Sequence, residues 1–144
     1  MSKFFRNNSE QTAHSARVIH EKKLIEENYD PQFAHCLITW SQGKALLTCH
    51  VHYWLNDEDI HFRIQYKGYS SPTAWIVSPK IKDPQHIYHE GNLCLFDPDT
   101  DEWTEESHIY NTFIPWCQQW IIFQRLYEET GVWQHPERQH SSSK

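Results

Sequence analysis

Cys94 stands between two leucines in the run His86-Ile-Tyr-His-Glu-Gly-Asn-Leu-Cys-Leu95. The thiol follows a glycine turn, with His86, His89 and Asn92 close before it. A free thiol is mostly protonated at neutral pH. It becomes a good nucleophile when a loop exposes it near hydrogen-bond donors, a cationic histidine or a helix start. Attack of such a thiolate on an activated carboxyl group gives a thioester. The same residues also allow a plain structural role, because free cysteine is among the most buried residue types and Leu93 and Leu95 could flank a small core side chain. Two other chemistries compete. His86, His89 and Cys94 could serve as three zinc ligands, and His50 and His52 alternate on one strand face, but no carboxylate stands near them at a recognised spacing. A cysteine hydrolase would need a His with Asp or Asn oriented on Cys94, for which the sequence offers residues but no signature.

The elements that must position Cys94 can be read from hydrophobic periodicity. Residues 9–27 predict a helix, with Ser9 as its N-cap and an apolar face of Ala13, Ala16, Val18, Ile19, Leu24 and Ile25. Asn28-Tyr-Asp-Pro31 ends it, since proline drives the preceding residue out of helical space. Four strands follow at 33–40, 45–54, 60–66 and 74–77, the second with Leu47, Cys49, Val51 and Tyr53 on one face and Thr48, His50 and His52 on the other. The turns between them are short, so the expected topology is an antiparallel meander. Residues 82–104 hold Pro84, Gly91 and Pro98 without a sustained period and read as a long functional loop. Helical spacing returns at 105–129, with Pro115 expected to break or kink it and Gly131 placed as a C-cap. The expectation is one α+β domain over residues 1–144, with 1–8 and 135–144 flexible.

Composition narrows the function. The chain has 144 residues, a net charge of −6 and seven each of Trp, Tyr and Phe. One aromatic-rich core fits that length. The basic residues are scattered, so no nucleic-acid footprint is present, and no apolar run reaches the ~20 residues that span a bilayer. The N-terminal residues lack the apolar segment of a secretory signal, so the cytoplasm is the expected compartment. Cys36, Cys49, Cys94 and Cys117 show no CxxC pairing and read as reduced thiols. Cys36 and Cys49 fall in strands and Cys117 in a helix, where buried structural thiols are expected. Trp103 is expected to pack under the cysteine loop, and Trp116, Trp120 and Trp133 to pack the helix. No metal or other cofactor is expected, and no Gly-rich phosphate loop is present, so any ATP-dependent activation must come from another protein.

The run His86…Tyr88…Gly91-Asn-Leu-Cys-Leu95, followed by Trp103, resembles the active-site region of ubiquitin-conjugating enzymes. Ser78-Pro-Lys-Ile81 resembles the Pro-rich end of the strand that precedes that region. The Gly-x-x-Cys-Leu turn, with Trp116-Cys-Gln-Gln-Trp120 and Tyr127-Glu-Glu-Thr-Gly-Val-Trp133, is most similar to the divergent prokaryotic conjugating enzymes of bacterial antiphage (CBASS-type) operons. The resemblance covers residues 9–133 at the level of fold and 76–133 at the level of motif. It implies a UBC-like fold and a thioester-forming acyltransferase with Cys94 as nucleophile and His86 as second site residue. It also implies a protein partner with a free C-terminus, either a cGAS-like nucleotidyltransferase or a ubiquitin-like protein, and, where the carboxyl group needs activation, a separate activating enzyme. The alternatives are a catalytically silent UBC-fold binding module and a His/Cys metal-dependent hydrolase. The sequence departs from the family in two places. The Pro-Asn of the His-Pro-Asn motif is absent, Ile87-Tyr88 following His86 directly, and Thr104-Glu105 replaces the usual Ser-Pro. The task of the missing Asn would then fall to backbone N–H groups, Asn92 or His86.

Overall fold

The computed structural model of the chain describes residues 2–96 and 102–133, with the side chains of 2–8 left aside. The tail expected to be flexible, 135–144, lies outside the described residues, and of 1–8 only the backbone from Ser2 is described. Helix α1 runs Ser2–Asn28, so Ser9 stands inside it rather than capping it. Residues 2–8 contain neither Gly nor Pro, so nothing in them stops the helix, and a serine marks a cap only where helical geometry actually begins. Val18, Glu21 and Ile25 are buried, a spacing of three and four that puts them on one helical face.

Strands β1 (Ala34–Ser41), β2 (Lys44–Leu55), β3 (Glu58–Tyr66) and β4 (Thr73–Ser78) form one sheet in the order β1-β2-β3-β4. Every neighbouring pair is antiparallel, so the meander expected from the short turns is what forms. Cys49 faces Ile64, Val51 faces Phe62 and Tyr53 faces Ile60 across β2 and β3. All of these but Tyr53 are essentially inaccessible to solvent and line the inner face with Leu47 and Ala74. Burying a side chain of this size is worth about 1.5–3 kcal/mol, so this row fixes the register. A slip of one residue would turn the set outward. The opposite face carries His35, His50, His52 and His61. α1 contacts β1 and β2, and its buried residues join the sheet's inner face in one core with those of the second helix.

That helix, α2, spans Phe113–Thr130, later than the expected start near residue 105. Pro115 neither breaks nor kinks it. It lies in the first turn, where an N–H has no partner inside the helix and proline's absent donor costs nothing. Residues 105–112 form turns instead, and α1 holds them. The fully buried Glu21 carboxylate accepts hydrogen bonds from Arg17 Nε at 3.0 Å, His108 Nδ1 at 2.7 Å and the Ile109 backbone N–H at 2.9 Å. Arg17 also donates to the carbonyls of Glu105 and Ser107. At the other end Gly131 adopts φ 76° and donates its N–H to the Tyr127 carbonyl at 2.7 Å, the glycine C-cap expected from the sequence.

Candidate active site

Residues 86–94 form a short hairpin. Ile87 and Leu93 face each other in an antiparallel bridge. Cys94 N–H donates to the His86 carbonyl at 2.9 Å and Tyr88 N–H to the Asn92 carbonyl at 2.8 Å. The turn closes with Gly91 N–H on the Tyr88 carbonyl at 2.9 Å, and Gly91 itself takes φ 90°, a conformation that residues with a Cβ rarely adopt. Leu93 N–H donates to the Ala74 carbonyl at 2.8 Å, which docks the hairpin on the edge strand β4.

Extended backbone alternates its side chains, and this settles what the flanking leucines do. Leu93 and Leu95 are 3% and 4% exposed and enter the core. Cys94 between them points the other way and is only half-buried. The leucines are the core residues and the cysteine is not. Its Sγ lies 3.7 Å from the Phe96 carbonyl, a weak thiol donor contact, and Phe96 rests against Phe113 and Trp116 at the start of α2.

The structure brings His86 and Cys94 together through the main chain. The His86 imidazole is stacked on Trp133, ring centroids 4.6 Å apart and planes 20° from parallel, and its backbone takes φ 51°. His89 is exposed on the turn, while Asn92 is half-buried and contributes its carbonyl to the hairpin. Trp103 is buried against Tyr66 and Phe113, with its indole N–H on Thr112 Oγ1 at 3.1 Å. That hydroxyl donates to the His108 carbonyl and makes no cap bond to α2. Cys117 is fully buried, and burial pushes its thiol far above the ordinary range. Cys49 is also buried and its thiol is raised, first by a hydrogen bond with Cys36 and then by desolvation. Cys36 departs from the expected buried thiol. It is half-buried, because β1 is the outer strand of the sheet and only its first residue, Ala34, is fully covered.

The histidines of the outer sheet face lie in cross-strand pairs, His35 opposite His50 and His52 opposite His61. His50 Nδ1 and His61 Nε2 approach to 2.9 Å, and His52 meets the Asp59 carboxylate at 3.2 Å. Desolvation, then the neighbouring imidazoles, lower the pKa of both His50 and His61. Among the described residues, no three His, Cys, Asp or Glu side chains are grouped as a metal ion would require. No helix there is long and apolar enough to cross a membrane.

The hairpin's other support was missed in the sequence. Gln124, fully buried on α2, accepts from Gln85 N–H at 2.9 Å through Oε1 and donates from Nε2 to the Asp83 carbonyl at 3.2 Å. Trp120 Nε1 donates to the Gln85 carbonyl at 2.9 Å, and Tyr127 Oη donates to the Asp83 carboxylate at 3.1 Å. Past the Gly131 turn, Trp133 returns over His86 and contacts Trp120 and Phe123. A signal was present: Gln124 continues the buried helical spacing of Cys117, Trp120 and Ile121, and a polar residue on an apolar stripe invites the question of what it bonds.

A cysteine turned outward on a braced hairpin, beside a four-strand meander and ahead of a helix, is the arrangement expected of a conjugating-enzyme fold. Comparison with curated proteins gave no match. Among protein-family models, that of the Type II CBASS E2 protein matches residues 21–141, which take in the sheet, the cysteine hairpin and α2. The chain therefore belongs to the Type II CBASS E2 proteins, prokaryotic E2-like proteins of the UBC type from antiphage CBASS operons, a membership that implies an E2-like conjugation role in antiphage defence.

Proposed function

We propose that this protein is a thioester-forming acyltransferase in which Cys94 accepts the C-terminal carboxyl group of a partner protein, a cGAS-like nucleotidyltransferase, and passes it to a lysine amine. The observation that carries this reading is the alternation at 93–95, with both leucines in the core and the thiol outside it. Family membership supports the reaction class. The carboxyl group arrives activated by a separate enzyme, as an adenylate or a thioester. The Cys94 thiolate attacks its carbonyl carbon, the activating group leaves, and a thioester to Sγ remains. A lysine amine then adds to the thioester carbonyl. The tetrahedral intermediate collapses to an amide, the Cys94 thiolate leaves, and the nitrogen gives up its extra proton to solvent.

Such a site works mainly by holding the thioester in place and stabilising the oxyanion. Cys94 is fixed by its N–H bond to His86 and by the two inserted leucines. In this reading His86 acts as a positioning residue, its carbonyl holding Cys94 and its ring clamped by Trp133. The test is incubation with the nucleotidyltransferase, its activating enzyme and ATP, read on a non-reducing gel. An adduct should form, disappear on thiol treatment and be absent with Cys94→Ala. A partner that binds both proteins equally well and never forms an adduct would make this chain a binding module instead.

A further inference from the structure

We propose that Gln124 of α2 is the positioning residue of the cysteine hairpin. The proposal rests on the reading of Cys94 as acyl acceptor. A glutamine with no solvent exposure is costly in a core unless its amide is fully bonded. In the stripe of Cys117, Trp120 and Ile121 an apolar side chain would avoid that cost. Gln124 offsets it with bonds to backbone at two places, Gln85 N–H and the Asp83 carbonyl, and one to Glu128 Oε2 at 3.2 Å. Pro84 lies between those two residues and has no N–H of its own.

Trp120 takes the remaining Gln85 group, its carbonyl, so both main-chain groups of Gln85 are held by α2. The next residue is His86, whose carbonyl receives Cys94 N–H. A continuous path thus runs from the Gln124 amide through Gln85 and His86 to the backbone of Cys94. It fixes where the thiol stands relative to the core of the protein. A displacement of about 1 Å at a reacting group can cost on the order of a hundredfold in rate.

The test uses the full chain and two variants. Gln124→Met is close in size and removes the three hydrogen bonds of the Gln124 amide. It should slow Cys94 thioester formation by roughly tenfold to a hundredfold. Amide-exchange protection at Cys94 and Tyr88 should fall at least about tenfold more than at Phe62 and Ile64 in the sheet, which marks a local rather than a global opening. Gln124→Glu keeps the acceptor for Gln85 N–H, but only when protonated does it donate to the Asp83 carbonyl and escape repulsion by the Glu128 carboxylate. Its rate relative to the native protein should therefore rise as pH falls, a trend that packing alone would not produce. Equal loss of protection across hairpin and sheet, unchanged hairpin protection in Gln124→Met, or a pH-independent rate ratio in Gln124→Glu would each overturn the proposal. If the native protein forms no thioester, the conjugation reading falls, while the exchange comparison still decides the role of Gln124.

Discussion

Replacing Glu21 by alanine should be among the most damaging single changes outside the hydrophobic core. The carboxylate is fully buried and accepts three hydrogen bonds. Its removal leaves the Ile109 N–H without a partner inside the protein, a penalty of about 1–3 kcal/mol. Arg17 and His108 are 21% and 34% exposed and can turn partly to water, and Arg17 keeps the carbonyls of Glu105 and Ser107. Their losses are therefore discounted to about 1 kcal/mol each. The total, about 3–5 kcal/mol, matches what breaking a buried ion pair costs elsewhere. For a chain of this size it corresponds to a melting temperature lower by roughly 10–15 °C. Glu21→Gln retains an acceptor for Ile109 N–H and should lose about half as much. Chemical denaturation followed by circular dichroism measures both. A Glu21→Ala protein within about 1 kcal/mol of the native one would refute this account of how α1 holds the turns before α2.

Two further outcomes follow from the same geometry. Iodoacetamide at neutral pH should label Cys94 and, more slowly, Cys36, while Cys49 and Cys117 react only after denaturation, because both are buried with raised thiol pKa values; peptide mass mapping reads this, and early labelling of Cys117 would contradict it. Stability should decline as pH falls below about 6.5, since the unfolded chain protonates its histidines there while the fold, with His50 and His61 pKa values lowered by desolvation, binds those protons only at lower pH. His35, His52 and Arg63 reinforce the effect at His50; at His61 the imidazoles reinforce it and Asp59 opposes it. Melting temperatures from pH 8 to pH 5 should show a shallower fall in a His50→Gln/His61→Gln protein, and an unchanged slope would contradict the assignment.

The meander was legible because residues 47–53 and 60–66 alternate in sequence, and the face named there, Leu47, Cys49, Val51 and Tyr53, is the one that meets the core, Tyr53 only in part. Cys94 was legible as a residue of interest, but whether it was core or surface depended on Leu93 and Leu95, which the hairpin geometry resolves. The start of α2 was not legible. Residues 105–112 carry helix-compatible side chains, and what keeps them from helix is the tertiary strap of Arg17 and Glu21 from α1. Ser9 misled for a related reason, since a cap residue is defined by the backbone around it and not by its type. Gln124 was legible only as a polar residue on an apolar stripe; its partners were not, because they are main-chain groups about forty residues away, at Asp83 and Gln85, and sequence periodicity carries no record of such bonds.

Whether Cys94 carries the acyl group is decided by where the bond forms. With Cys94→Ser in place of the native protein, the partner's C-terminal residue should become joined to position 94 as an oxygen ester, resistant to thiols and cleaved by alkali. Tandem mass spectrometry of the digested adduct should place the junction at that residue. An adduct that maps to Cys36 or another position, or that forms equally well with Cys94→Ala, would contradict the account.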